Sequence, residues 1–175
     1  WEFRAFGHDN VALLNGGLPK WTAEGRALDT ATPSPTTATF SATLIPALVR
    51  SVEQLMANTE TRAEQVLDVR PKGRLDGPDA EPRPGVRSGH IPGAKHLVYT
   101  DILNEDRTLK DAAALRTALD GSGIDFGGPV VTSCGSGITA SAMALGLHLV
   151  GHDNWAVYDG SWTEWGGRTD TPIET

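Results

Sequence analysis

The sequence predicts an α/β domain with a mostly parallel central sheet covered by helices on both faces. Two observations carry this. Short β-prone runs alternate with helical patterns along most of the chain. A glycine-rich loop then joins the end of one such run to the start of a helix. In sheets of this kind ligands collect beyond the C-terminal ends of the strands.

The elements follow in order. Ile45-Pro46-Ala47-Leu48 leads into a helix expected over Val49 to Asn58, where Val52, Leu55 and Met56 recur three to four residues apart. Gln65 to Arg70 is a short β-prone run ended by Pro71, so it reads as a buried strand with Asp68 and Arg70 emerging at its C-terminal end. Ala112 to Leu119 is rich in Ala and Leu, with Leu115 and Leu119 on one face and with Gly121 and Gly123 to stop it, which is a helix. Pro129 to Ser133 is a second strand, and Thr139 to Val150 is a helix closed by Gly151. Trp155 to Tyr158 is a further apolar run, ended by Asp159-Gly160. Cys134 falls at the C-terminal edge of the sheet so built.

Composition narrows the function. With 175 residues and 39% apolar content, one domain of ordinary size plus an appendage is expected. A formal charge of -7 with scattered Lys and Arg argues against a nucleic-acid surface. No apolar run approaches the roughly 18 residues that cross a bilayer. No basic segment followed by an apolar one opens the chain. The expectation is a cytoplasmic protein with small-molecule or protein partners and neither nucleic acid nor membrane. A single cysteine rules out an internal disulfide and a multi-cysteine zinc site, so Cys134 is either an inert core thiol or a reactive group. His8, His96, His148 and His152 lack the paired spacing of metal ligands. No metal and no cofactor are expected.

An internal repeat organises the chain. Gly7-His8-Asp9-Asn10, Ala12, Asn15-Gly16-Gly17 and Trp21 recur in register as Gly151-His152-Asp153-Asn154, Ala156, Asp159-Gly160-Ser161 and Trp165. A period this long marks a duplicated domain rather than a solenoid. Residues 1–30 are therefore expected to be the C-terminal remnant of a first copy, most of which is absent from this sequence. Residues 31–39, rich in Pro and Thr, read as a linker, and residues 40–175 as a complete catalytic domain.

The loop Cys134-Gly135-Ser136-Gly137-Ile138-Thr139 carries the chemistry. Its glycines allow positive φ, so successive amides can converge above a helix N-terminus and stabilise a thiolate, or equally the outer sulfur of a persulfide. The backbone N–H groups of Gly135, Ser136, Gly137, Ile138 and Thr139 are the expected cradle. A buried cysteine beside a flexible loop is the bland alternative, although a structural thiol needs neither the glycines nor the strand-to-helix position. Spacing separates the nucleophilic chemistries. A cysteine phosphatase needs an Arg six residues after its Cys, where this chain has Ala140. A serine hydrolase elbow needs Gly on both sides of its Ser at a distance of two, where Ser136 has Cys134 and Ile138. Sulfur transfer survives, because it requires only an activated thiolate, a cradle and a hold on the donor.

The loop from Cys134 to Ala140 resembles the active-site loop of 3-mercaptopyruvate sulfurtransferases. Gly89-His90-Ile91-Pro92-Gly93-Ala94 resembles a segment typical of rhodanese domains. Asp68-Val69-Arg70 and the set Tyr158-Asp159-Gly160-Ser161-Trp162 with Glu164 and Trp165 add further matches. The resemblance covers residues 40 to 168, with residues 1 to 30 similar to the end of the family's inactive first domain. It implies a rhodanese-like domain of about five strands in which Cys134 accepts sulfur from 3-mercaptopyruvate. Two arginines would bind the donor carboxylate; they match Arg74 and Arg83, and guanidinium forks suit a planar carboxylate. Leu75 stands where the family more often has an aromatic residue, and Pro78-Asp79-Ala80 departs from a more acidic run.

Thiosulfate-preferring members resemble one another in having basic residues directly after the cysteine, whereas Gly135 and Ser136 are neutral. Resemblance also gives Ser136 a catalytic role, together with a His and an Asp of the first domain. His90 reads as a residue that fixes its turn through backbone hydrogen bonds. Asp68 and Arg70 read as braces of the active-site edge, and Trp155, Trp162 and Trp165 as packing. The expected partners are a small-molecule sulfur donor, a thiol acceptor such as a thioredoxin-like protein, and the first rhodanese domain. The rivals are a thiosulfate:cyanide sulfurtransferase and a non-catalytic rhodanese module for protein binding or redox sensing.

Overall fold

In the computed structural model, which describes residues 1–77 and 79–175, the strands alternate with helices along the chain. The Pro78 part of the reading of Pro78-Asp79-Ala80 lies outside the described residues. Strand β1 (Val49–Arg50) precedes α3 (Val52–Thr61), itself preceded in the N-terminal arm by α1 (Glu2–Ala5) and α2 (Gly17–Ala23). Then come β2 (Gln65–Asp68), the short α4 (Lys72–Leu75), β3 (Lys95–His96), α5 (Ala112–Gly121), β4 (Val130–Ser133), α6 (Ile138–Leu149), β5 (Trp155–Tyr158) and α7 (Ser161–Gly167). The strands form one five-stranded sheet in the order β1-β5-β4-β2-β3, and every pairing is parallel.

Alternation along each strand divides the core in two. Leu67, Val130 and Val157 face α5 and α6, where they pack with Leu115, Leu119, Met143 and Leu147. Their neighbours Val66, Val131 and Ala156 face α3 and α7, where they meet Val52, Leu55, Trp162 and Trp165. Burial on both faces is why these strands read as continuous apolar runs. The three tryptophans are buried or nearly so, and Trp162 and Trp165 donate their ring N–H groups to the carbonyls of Arg87 and Pro172.

Three boundaries differ from expectation, each for a local reason. The helix expected from Val49 begins at Val52, because Ser51 and Gln54 form a capping box in which each side chain bonds the other's backbone N–H. Such a cap contributes about 1 kcal/mol. It frees Val49 and Arg50 to extend the sheet beside Val157 and Tyr158. Helix α5 runs through Gly121, and Gly123 at φ +75° closes it. Helix α6 starts one residue early, at Ile138, ends at Leu149 and is closed by Gly151 with φ +80°.

The arm is held at a few points. The Trp1 ring N–H donates to the Leu48 carbonyl at 3.0 Å, Ile45 N–H to the Ala5 carbonyl at 2.7 Å, and Leu109 N–H to Asn15 Oδ1 at 2.8 Å. Residues 31–39 are exposed and carry no helix or strand. Helices α2 and α7 stand at the same offset as the sequence repeat (Gly17 to Ser161, Ala23 to Gly167). Gly7 and Gly151 share a left-handed conformation, φ +83° and +80°.

Candidate active site

Strand β4 is the middle strand of the sheet, and its last residue, Ser133, leads directly into Cys134. The thiol is 2% exposed. Burial alone pushes it up. Hydrogen bonds from the Thr139 hydroxyl and from the amides of Ser136, Ala140 and Thr139 act in the other direction, and the net result lies below the ordinary thiol value. The Ser136 amide lies 3.4 Å from Sγ. Thr139 and Ala140 sit in the first turn of α6 and Ser136 just before it, so the helix dipole adds to them.

The amides that act on the thiol are those of Ser136, Thr139 and Ala140. The Gly137 amide donates to Ser161 Oγ at 3.0 Å. Gly137 adopts φ +83°, a left-handed conformation that favours glycine. Ser161 was not expected in a site role. It is fully buried at φ +50°, a left-handed conformation that costs a non-glycine residue about 1 kcal/mol or more. Its hydroxyl accepts from the Cys134 and Gly137 amides, donates to the Tyr158 carbonyl at 2.8 Å and lies 3.9 Å from the sulfur.

The two arginines reach the loop from different elements and meet at Gly135. Arg74, in α4, lies over it: a Cβ added at Gly135 would sit 3.2 Å from Arg74 Nη2. Arg83, on an exposed loop, donates to Thr163 Oγ1 at 2.9 Å, and Thr163 donates onward to the Gly135 carbonyl at 2.5 Å. Gly135 is not in the left-handed region, so the need for glycine here is the space that Arg74 occupies. Ser136 is exposed at the tip of the loop.

Beneath the arginines lies a buried ionic chain. Arg70 is 1% exposed and makes a bidentate pair with Asp68; it also donates to Glu81 Oε1 at 2.8 Å and to the Gly89 carbonyl at 2.7 Å. Its guanidinium stacks 4.3 Å from the Trp162 ring. Glu81 then accepts from Arg74 through both carboxylate oxygens. Asp68 and Arg70 therefore tie the sheet edge to the loops that carry Glu81 and Gly89. His90 sits apart from the sulfur, with its Nδ1 bonded to the Leu75 carbonyl at 3.1 Å and its backbone bridged to Glu174. Glu81, Ser161 and Thr163 are site residues that sequence reasoning missed. Ser161 lay inside a motif valued as a whole, and nothing in the sequence marked Glu81 or Thr163 for a role at the site.

Among the described residues no cluster of His, Cys, Asp or Glu could hold a metal ion, and no helix is long and apolar enough to cross a membrane.

The family model described as a rhodanese-like domain matches residues 51–168. The chain is similar to 3-mercaptopyruvate sulfurtransferase of Homo sapiens, 41% identical over 165 residues, which is 94% of this chain and 56% of that protein. It is 38% identical to thiosulfate sulfurtransferase of Gallus gallus over 165 residues, with the same coverage of 94% and 56%. Among solved structures, that of the 3-mercaptopyruvate sulfurtransferase SseA from Escherichia coli superimposes with a TM-score of 0.79 at 31% identity, covering 93% of this chain and 60% of that one. The chain thus spans little more than half the length of these relatives.

Proposed function

The chain belongs to the rhodanese-like family, and from that premise we propose that it is a sulfurtransferase that moves sulfur from 3-mercaptopyruvate through a persulfide on Cys134. The observation that carries the reading is a buried thiol that lies below its ordinary pKa because helix-terminal amides and the Thr139 hydroxyl outweigh desolvation. A structural cysteine in a core has no such donors.

In the proposed reaction the Cys134 thiolate attacks the sulfur of mercaptopyruvate while Arg74 and Arg83 hold its carboxylate. The S–S bond forms as the C–S bond breaks, and pyruvate leaves as its enolate. Ser136, exposed beside the sulfur, is the hydroxyl proposed to deliver the proton that the enolate takes up. An acceptor thiolate, or cyanide, then attacks the outer sulfur and restores the Cys134 thiolate. Dividing the transfer this way predicts ping-pong kinetics.

The domain assignment is part of the proposal: residues 40–175 form the catalytic unit, residues 31–39 a linker, and residues 1–30 the end of a first rhodanese-like domain. Its support is the sequence repeat, together with the matching offset of α2 and α7. That first domain and a thiol-bearing acceptor such as a thioredoxin-like protein are the proposed partners. A reducing cytoplasm, which suits a lone reactive thiol, is the proposed compartment.

A second reading, thiosulfate as donor, has one observation in its favour, the 38% identity to the Gallus gallus thiosulfate sulfurtransferase. The neutral Gly135 and Ser136 favour a monoanionic carboxylate over a dianion. The ratio of kcat/KM for the two donors decides between them: a ratio favouring mercaptopyruvate supports the first reading, and its reverse the second. Loss of both activities on Cys134→Ser is expected under either.

A further inference from the structure

We propose that Thr163 is a positioning residue of the donor subsite, holding Arg83 in place over the active-site loop. The inference rests on the sulfur-transfer reading and goes beyond it in asking how the donor-binding cation is held.

The two arginines are fixed by unlike means. Arg74 is paired with Glu81, which also takes Arg70, and Arg70 is paired with Asp68. These four groups, two carboxylates and two guanidiniums, sum to zero charge. Arg83 has no carboxylate within ion-pair distance among the described residues, and its side-chain hydrogen bond is to the neutral Thr163 hydroxyl. It is therefore the uncompensated cation beside the loop, and the cation most able to attract a donor carboxylate. An exposed arginine free to rotate would lose much of that advantage to side-chain entropy.

Thr163 answers this in two bonds. Its Oγ1 accepts from Arg83 Nη1 and donates its own proton to the Gly135 carbonyl, so the hydroxyl is oriented before Arg83 arrives. Thr163 itself is fixed by its place in the first turn of α7, where its amide also donates to the Gly135 carbonyl at 3.0 Å and the neighbouring Trp162 amide to that of Cys134 at 2.8 Å. One side chain thus registers the donor-binding cation to the residue that follows the nucleophile. The distance between carboxylate and sulfur in the bound donor is set through this link.

The test compares Thr163→Val, which removes the hydroxyl, with Thr163→Ser, which keeps it, each alone and combined with Arg83→Gln. KM and kcat are measured with 3-mercaptopyruvate. Separately from turnover, the dissociation constant of pyruvate, which retains the carboxylate, is measured by calorimetry. Thr163→Val is expected to raise KM and the pyruvate constant about five- to tenfold, the effect of one charge-assisted hydrogen bond at a partly exposed site, with kcat changed by less than about twofold. Thr163→Ser should restore both constants, and in the Arg83→Gln background the Val substitution should add nothing. The proposal is overturned if the pyruvate constant does not move, if Ser is as impaired as Val, or if Val weakens binding equally with Arg83 already replaced. A protein that binds pyruvate in a Thr163-dependent way but takes up no sulfur would remove the transfer reading and leave this one standing. Sulfur transfer without Thr163 dependence would do the reverse.

Discussion

The Ser161 hydroxyl lies 3.9 Å from the Cys134 sulfur and accepts the backbone amide of that same cysteine at 3.2 Å. A side chain that begins α7 is thereby bolted under the loop that begins α6. Replacing Ser161 by Ala leaves two buried amides, those of Cys134 and Gly137, without an acceptor. Each such loss costs about 1–3 kcal/mol, so urea unfolding should show a destabilisation of roughly 2–6 kcal/mol. The single-turnover rate of sulfur uptake should fall as well.

The thiol sets a pH dependence whose sign follows from its direction. Because the folded pKa is lowered, the thiolate persists at pH values where an ordinary thiol is protonated. Its contribution to stability is fully present above the unfolded value and is lost as pH falls through the folded one. Alkylation of Cys134 by iodoacetamide should therefore titrate with an inflection below that of free cysteine. Thr139→Val removes the largest of the opposing hydrogen bonds and should move the inflection upward, slowing alkylation at neutral pH.

Gly135 and Gly137 are glycines for different reasons, and alanine at each should separate them. At Gly137, φ is +83° and a Cβ would come 2.8 Å from Asp159 Oδ1, so Gly137→Ala should destabilise the fold by more than the about 1–2 kcal/mol of left-handed strain alone. At Gly135 the added methyl meets the Arg74 guanidinium, which can shift. Gly135→Ala should leave the unfolding midpoint nearly unchanged and raise KM for the donor.

Arg70 depends on Asp68 more than on any other partner. With the guanidinium 1% exposed, Asp68→Ala leaves a buried cation half-paired, and loss of one member of such a pair costs about 3–5 kcal/mol. Chemical unfolding of the variant should show a loss of that size, together with a raised KM, since Arg70 shares Glu81 with Arg74.

Three strands of the sheet and the strand-to-helix loop at Cys134 were legible in the sequence because their signals are local. Gln65 to Asp68, Val130 to Ser133 and Trp155 to Tyr158 are apolar runs long enough to read. The glycines around Cys134 mark a strand-to-helix turn by composition alone. Strands β1 and β3 span two residues each, too few for any periodicity, and Val49 was drawn into a helix pattern that the Ser51 cap overrides. The supporting residues of the site were illegible for a different reason. Arg83 meets Thr163 across 80 positions and Ser161 meets Cys134 across 27, contacts that exist only once α7 docks on the sheet. The partner of the Gly137 amide is of the same kind, because the Ser161 hydroxyl reaches it from α7 across 24 positions.

The central claim is that Cys134 accepts a sulfur atom. Intact-protein mass spectrometry after brief exposure to fresh 3-mercaptopyruvate tests it most directly. The account predicts a mass gain of one sulfur atom, localised to the Cys134 peptide, reversed by cyanide and absent in Cys134→Ser. An unchanged mass in a folded protein whose Cys134 still alkylates would contradict it.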